Sequence, residues 1–170
     1  MRRHPLALLS FIGALAIYLV VREAGHLVAC LVQRMPVSVV LRYGFLPSVQ
    51  IEPDAAEATA RAAAAVILAG PAATLAAGYV LLYGIVKSWP EAFPPARILW
   101  AVTCYVALIL DPIYYAVTPL LSLGGEPGTL AGLTGVSFLR IEIVGFAFLV
   151  ANTILARRAV APFLREHLAA

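Results

Sequence analysis

The residues best suited to chemistry lie near the end of the first apolar stretch, where residues 21–27 read V-R-E-A-G-H-L. In the zinc-hydrolase pattern H-E-x-x-H, two histidines on one helical face bind the metal, and the glutamate acts as general base. Glu23 and His26 match the base and the second histidine, whereas Arg22 stands in the place of the first. Arginine stays protonated and offers a metal no lone pair. The spacing therefore predicts a hydrolytic helix that has lost one ligand.

The composition indicates the surroundings of this helix. Of 170 residues, 62% are hydrophobic and 12% are charged, whereas soluble domains carry about 25% charged residues. A chain of this kind is typical of a bilayer, and its length fits a single membrane domain over residues 1–170. The net charge of +3 gives no support to a nucleic-acid partner, and the two cysteines do not form a disulfide framework. We predict an all-α integral membrane protein.

Four apolar runs are long enough for the roughly 20 residues that cross a hydrocarbon core. The predicted spans are residues 5–33, 62–86, 97–123 and 137–156. Lysines and arginines are distributed unevenly between the two ends of these spans. With both termini cytoplasmic, seven lie on that side and four on the other, which is a moderate positive-inside signal. We therefore expect an integral protein of the bacterial cytoplasmic membrane with both termini inside.

Two shorter segments have other patterns. Residues 36–52 alternate apolar and polar side chains and predict a β-hairpin, with Gly44 and Pro47 in its turn. Its edge either receives an extended peptide by strand addition or only covers the helix ends. Residues 157–170 are typical either of a basic amphipathic helix, with Phe163, Leu164 and Leu168 turned to lipid, or of a solvated charged tail.

Ionisable residues inside spans are costly and are usually paired or functional. At a rise of about 1.5 Å per residue, Glu23 lies roughly 27 Å and Asp111 roughly 21 Å from the cytoplasmic ends of their spans. Gly70-Pro71 falls at a similar depth in the second span. The three spans are therefore expected to share one buried site. Arg22 either forms a bidentate pair with Asp111 or with Glu23, or extends toward the interface and takes no part. Of the two partners Asp111 is favoured, because the neighbouring residues Arg22 and Glu23 lie on different helical faces.

Together these residues resemble the site-2 protease family of intramembrane zinc metalloproteases. Residues 23–26 match the last four positions of the family's H-E-x-G-H helix, and Gly70-Pro71 resembles its Gly-Pro segment, although Thr74 stands near where asparagine is common. The region from Asp111 to Glu126 resembles the one that supplies the third ligand, and these two carboxylates are rival candidates. The likeness covers residues 5–126.

The resemblance implies a zinc site with Glu23 as general base, His26 with Asp111 or Glu126 as ligands, and Gly25, Gly70 and Pro71 as structural residues near it. Because Arg22 replaces a ligand, we expect zinc-dependent peptide hydrolysis to be lost or impaired. The protein would then bind transmembrane or membrane-adjacent peptide segments. The alternative is an active intramembrane zinc protease with a rearranged metal site, and a small transporter is a third possibility.

Overall fold

The computed structural model describes residues 3–35, 37–42, 46–51, 60–87, 94–118, 120–121 and 125–169. Within them, four helices are long and apolar enough to cross a membrane, as predicted for an all-α integral membrane protein. The elements are α1 (Arg3–Val32), β1 (Val37–Arg42), β2 (Leu46–Ile51), α2 (Ala60–Val86), α3 (Pro94–Val117), α4 (Gly125–Thr134), α5 (Phe138–Leu155), a π-helical segment (Ala156–Val160) and α6 (Ala161–Ala169).

Helix α3 forms the centre of the bundle. In the most apolar 18-residue stretch of α3, 61% of the residues are buried inside the protein, whereas the corresponding fraction is 17% in α1 and in α5. It packs against α1, α2 and α5, and its small side chains Ala101, Cys104 and Ala107 are almost fully buried. The outer helices expose large apolar side chains such as Leu9 and Val80, as expected for surfaces that face lipid.

A proline in α3 explains one buried polar contact between helices. Pro112 has no N–H, so the carbonyl of Leu108, four residues earlier, loses its usual helical partner. The side-chain amide of Asn152 on α5 donates to that carbonyl at 2.8 Å, and the hydroxyl of Tyr79 on α2 donates to the Asn152 Oδ1 at 2.7 Å. Asn152 is completely buried. This neutral cluster joins α2, α3 and α5 and satisfies a backbone group that lipid could not.

Two glycines allow close helix crossings. A Cβ added at Gly25 would lie 2.6 Å from the carbonyl oxygen of Ala69, so α1 and α2 approach each other through their backbones there. A Cβ at Gly145 would lie 2.8 Å from the backbone of Tyr115 and Ala116, which marks the crossing of α5 over α3. The first crossing lies at Gly25, beside His26, and the second lies about one helical turn after Asp111.

The hairpin is present, but Pro47 lies in a strand of it. β1 and β2 pair antiparallel from Val37 opposite Ile51 to Arg42 opposite Leu46. The sequence predicts Pro47 in the turn, but it lies within β2, opposite Leu41. Proline is accepted there because each strand of a two-stranded sheet is an edge strand. Only the N–H groups that face the partner strand donate to the ladder. Gly44 lies outside the described residues.

The chain departs from the predicted spans after residue 117. The third helix ends at Val117 instead of continuing to 123, and the short helix α4, which hydropathy did not indicate, follows it. The backbone stays helical from α5 through the π-helical segment into α6. Phe163 and Leu164 pack against the buried cluster around Leu108 and Val160 instead of turning to lipid.

Candidate functional site

Arg22 lies at the junction of α1, α3 and α4. Its Nε donates to the Asp111 Oδ1 at 3.1 Å, and its Nη2 donates to the Glu126 Oε2 at 2.5 Å. The two carboxylates that the sequence offered as rivals are thus held by one guanidinium. The predicted partner Asp111 is correct, but the pair is not bidentate, since each carboxylate takes a different nitrogen. The third contact, from Nη1 to the Glu23 Oε1, is longer at 3.9 Å.

Asp111 on α3 is surrounded by donors from two other helices, α1 and α2. It is 1% exposed, and the hydroxyl of Tyr18 on α1 donates to its Oδ1 at 2.9 Å. The hydroxyl of Thr74 on α2 donates to its Oδ2 at 2.5 Å and also lies 2.9 Å from the carbonyl of Pro71. A carboxylate inside a membrane is tolerable only when it is satisfied in this way.

Sequence reasoning missed Tyr18 and gave Thr74 no contact. A usable signal existed for Tyr18, because positions 18, 22 and 26 are spaced by four residues and therefore share one face of a helix. The role of Thr74 had no comparable signal, since it depends on how α2 is placed against α3. The arrangement puts one hydroxyl on each side of the Asp111 carboxylate.

Glu126 is positioned by two neighbouring tyrosines and by the start of α4. The hydroxyl of Tyr115 donates to the Glu126 Oε2 at 3.1 Å, and the backbone N–H of Glu126 donates to the Tyr114 hydroxyl at 3.2 Å. Gly125, at φ 71°, adopts the left-handed conformation that lets the chain enter α4 close to Tyr114. A short helix between two spans thus turns Glu126 back toward α1.

His26 is buried against α2 with its orientation fixed. Its Nδ1 donates to the Val66 carbonyl at 2.7 Å, because a carbonyl can only accept, and its Nε2 lies 3.7 Å from the Glu126 Oε1. A Cβ at Gly70 would overlap the imidazole ring. Gly70 is therefore required for His26 to reach this position. The next residue is Pro71, whose carbonyl oxygen lies 2.9 Å from the Thr74 hydroxyl.

The structure thus brings Arg22, Glu23, His26, Asp111 and Glu126 into one cluster, which we call the charged centre. Its side chains range from 2% exposed in Asp111 to 25% exposed in Glu126. Three carboxylates face one guanidinium and one imidazole. An excess of acid over base in a buried cluster is typical of a place that holds a cation.

The charged centre does not fit zinc as it stands. Zinc requires about four ligand positions at 2.0–2.3 Å in a tetrahedral arrangement. Here the Arg22 guanidinium lies against both carboxylates that would supply oxygen ligands. In the part of the chain that the structure describes, no group of three or more His, Cys, Asp or Glu is arranged to hold a metal. The Arg22 guanidinium places one positive charge at this position.

A groove opens beside the charged centre. It has a volume of about 350 Å³ and lies between α2 and α5, with Asp111, Pro112 and Tyr115 of α3 at its floor. Its walls are almost entirely apolar, and Arg140 lies at its rim. Because Asp111 already accepts three hydrogen bonds, the floor offers little polar surface.

Comparison of the chain with protein-family models, with curated proteins and with solved structures found no match. The fold and the charged centre define an integral membrane protein of four spanning helices that encloses a buried, ion-paired cluster. The resemblance to the site-2 protease family rests on residues 23–26, 70–71, 111 and 126.

Proposed function

We propose that this protein is a site-2 protease-like membrane protein in which the guanidinium of Arg22 replaces the catalytic metal, and that it holds membrane peptides without hydrolysing them. The observation that carries the proposal is the contact of Arg22 with both Asp111 and Glu126. A fixed cation at that point offsets part of the negative charge of the two carboxylates but polarises no water in the way a metal does.

Metal binding in this arrangement would carry an added free-energy cost. Binding zinc through Asp111 and Glu126 would expel Arg22, and an unpaired arginine inside a membrane costs about 2.5–3.5 kcal/mol on insertion scales. The metal would also approach a positive charge only one helical turn from His26. The arrangement therefore opposes the first step of metal-assisted hydrolysis, which is placing the metal.

Peptide binding is assigned to the hairpin. β2 packs toward α1, and within the described residues β1 pairs with β2 alone. The outer edge of β1 therefore presents backbone groups to an extended chain, and Val39 on this strand is 57% exposed. An extended segment flanking a transmembrane helix could add to this edge as a third strand.

We also propose that the protein lies in a bacterial cytoplasmic membrane with both termini on the cytoplasmic side. The distribution of basic residues supports this orientation.

One observation favours a second candidate, an active zinc protease with a rearranged site. The Nδ1 of His26 donates to a backbone carbonyl, and in a neutral imidazole this bond leaves the Nε2 lone pair turned toward Glu126. Metal-binding histidines are usually held by such a bond. In this candidate His26, Asp111 and Glu126 bind zinc, Glu23 is the base, and Arg22 turns away.

Metal analysis of the purified protein separates the two candidates. We expect less than about 0.1 zinc per chain in the parent, since that fraction reflects trace binding, and no cleavage of a transmembrane peptide. Arg22→His restores two imidazoles one turn apart and should bind zinc near one per chain, with a melting temperature that rises when zinc is added. Near-stoichiometric zinc in the parent, lost in His26→Ala, would establish the second candidate instead.

A double variant tests the role assigned to Glu23. Arg22→His with Glu23→Gln should retain zinc but should not cleave, because the base is removed and the ligands are not. If Arg22→His gains neither zinc nor zinc-dependent stability, His26, Asp111 and Glu126 are not arranged as a site, and the resemblance describes the fold alone.

Peptide binding is tested separately with a synthetic probe in vesicles. The probe is an apolar helix of about 20 residues with an extended polar flank, and a photoreactive residue replaces Val39. We expect an adduct between Val39 and the flank, and a weaker one from Val80, which is 68% exposed on α2. Methylating alternate backbone amides of the flank removes donors needed for strand addition. Equal adducts with the methylated and unmethylated flanks would contradict the proposal.

A further inference from the structure

The groove between α2 and α5 has the size of a single apolar chain. It is lined by Leu68, Ala72 and Leu75 on α2 and by Val144 and Phe148 on α5. Its volume of about 350 Å³ lies at the small end of the range of roughly 300–1,000 Å³ found for ligand pockets. Leu68, Val144 and Phe148 are each more than 40% exposed, so the groove is open toward the lipid-facing side.

Its length can be read from α5. Arg140 and Phe148 are eight residues apart, which corresponds to about 12 Å along the helix. A helix of that length, with a diameter of 10–12 Å, would have a volume of roughly 1,000 Å³. The groove therefore admits a narrow hydrocarbon chain, or one or two side chains of a neighbouring segment, but not the full cross-section of a helix.

Arg140 gives the rim of the groove a positive charge. It is an exposed residue in the first turn of α5, at one end of the span. Within the described residues, no carboxylate lies within ion-pair distance of its guanidinium, in contrast with Arg22. An arginine at the end of a membrane span reaches toward the interface and takes an anionic partner there. Phosphate suits a guanidinium because it accepts two parallel N–H bonds.

We propose that the groove binds one acyl chain of an anionic phospholipid whose phosphate pairs with Arg140. The chain covers the apolar walls beside the charged centre, and the headgroup fixes the lipid at the end of α5. The proposal concerns a different surface from the hairpin and does not depend on the proposed peptide binding.

Lipid titration of the full-length protein in detergent tests the proposal, with bound lipids counted by native mass spectrometry. The probes are phosphatidylglycerol and phosphatidylcholine with identical acyl chains. Both lipids carry the phosphate, but the choline cation of phosphatidylcholine offsets its charge. We therefore expect one phosphatidylglycerol to bind about fivefold more tightly than phosphatidylcholine, the preference that a partly exposed ion pair supplies. Equal affinities for the two lipids would overturn the proposal.

Two variants with matched controls locate the lipid. Arg140→Gln should abolish the preference for phosphatidylglycerol, whereas Arg158→Gln, which removes an exposed arginine outside the groove, should leave it unchanged. Ala72→Leu fills the groove and should weaken the binding of both lipids, whereas Ala76→Leu, one turn further along α2 and also exposed, should not. Equal effects of a variant and its control would show that the lipid binds elsewhere.

Photo-crosslinking identifies the class of occupant. With a photoreactive residue at Val144, in vesicles containing both lipids, the adducts should be enriched in phosphatidylglycerol relative to those formed from Val80, which faces lipid outside the groove. Adducts at Val144 with the transmembrane probe peptide in place of lipid would show that a protein segment occupies the groove, and the lipid proposal would fall.

Discussion

Two polar clusters can be compared among the described residues of the helical bundle, and they differ in charge. In the neutral cluster, Asn152 donates to the Leu108 carbonyl and accepts from Tyr79, so each polar group has a matching partner. In the charged centre, Arg22 is shared among carboxylates that outnumber it. The neutral cluster is explained by the carbonyl that Pro112 leaves unpaired. The charged centre contains more carboxylates than its basic groups can balance, and helix packing alone does not account for them. For this reason we propose a functional role for the charged centre and a structural role for the neutral cluster.

The largest expected effect comes from removing the cation of the charged centre. Arg22→Leu leaves Asp111 and Glu126 close together without their shared partner, and breaking a buried ion pair in this way costs about 3–5 kcal/mol. Because Arg22 retains 14% exposure, we expect a value near the lower end, about 3 kcal/mol. Unfolding in mixed micelles measures the loss.

A second substitution serves as the control for this prediction. Asp111→Asn, added to the Arg22→Leu variant, removes one unpaired charge while keeping an acceptor for Tyr18, so it should recover part of the stability. A loss below about 1 kcal/mol for Arg22→Leu would mean that the ion pairs contribute little, and the two clusters would then be energetically alike.

An intermediate effect is expected at Gly70, which supports the charged centre without carrying charge. Gly70→Ala introduces a methyl group where the His26 ring lies, and overpacking of this kind costs about 1–3 kcal/mol. Gly132→Ala in α4 is the matched control, because nothing lies within 4 Å of its added Cβ. Thermal unfolding of both variants should separate them. A Gly70→Ala protein as stable as the control would show that His26 can move freely from this position.

The smallest effects are expected in the neutral cluster. Hydrogen bonds between membrane helices contribute about 0.6 kcal/mol on average and at most about 1.7 kcal/mol. Tyr79→Phe should therefore cost about 0.6 kcal/mol, and Asn152→Leu, which removes two bonds, about 1–2 kcal/mol. If Asn152→Leu destabilised the protein more than Arg22→Leu in the same micelle assay, the neutral cluster would be the main polar anchor of the bundle.

The sequence by itself determined the helical membrane architecture and the hairpin. Spans are set by runs of apolar residues long enough to cross a bilayer, and this requirement is local to each segment. The sequence also placed Arg22 and His26 one helical turn apart, since spacing along a helix follows directly from residue number. The preference for Asp111 as the partner of Arg22 followed from depth along the helices and from the different helical faces of neighbouring residues.

Only the tertiary structure decided how the charged centre is completed. Helix α4 is too short and too weakly patterned to be read as an element, so the return of Glu126 to Arg22 depends on Tyr114, Tyr115 and the bend at Gly125. The hydroxyls of Tyr18 and Thr74 reach Asp111 because three helices cross at one depth. Such contacts depend on rotation and close approach of whole helices, which are set by packing between distant segments and not by spacing within any one of them.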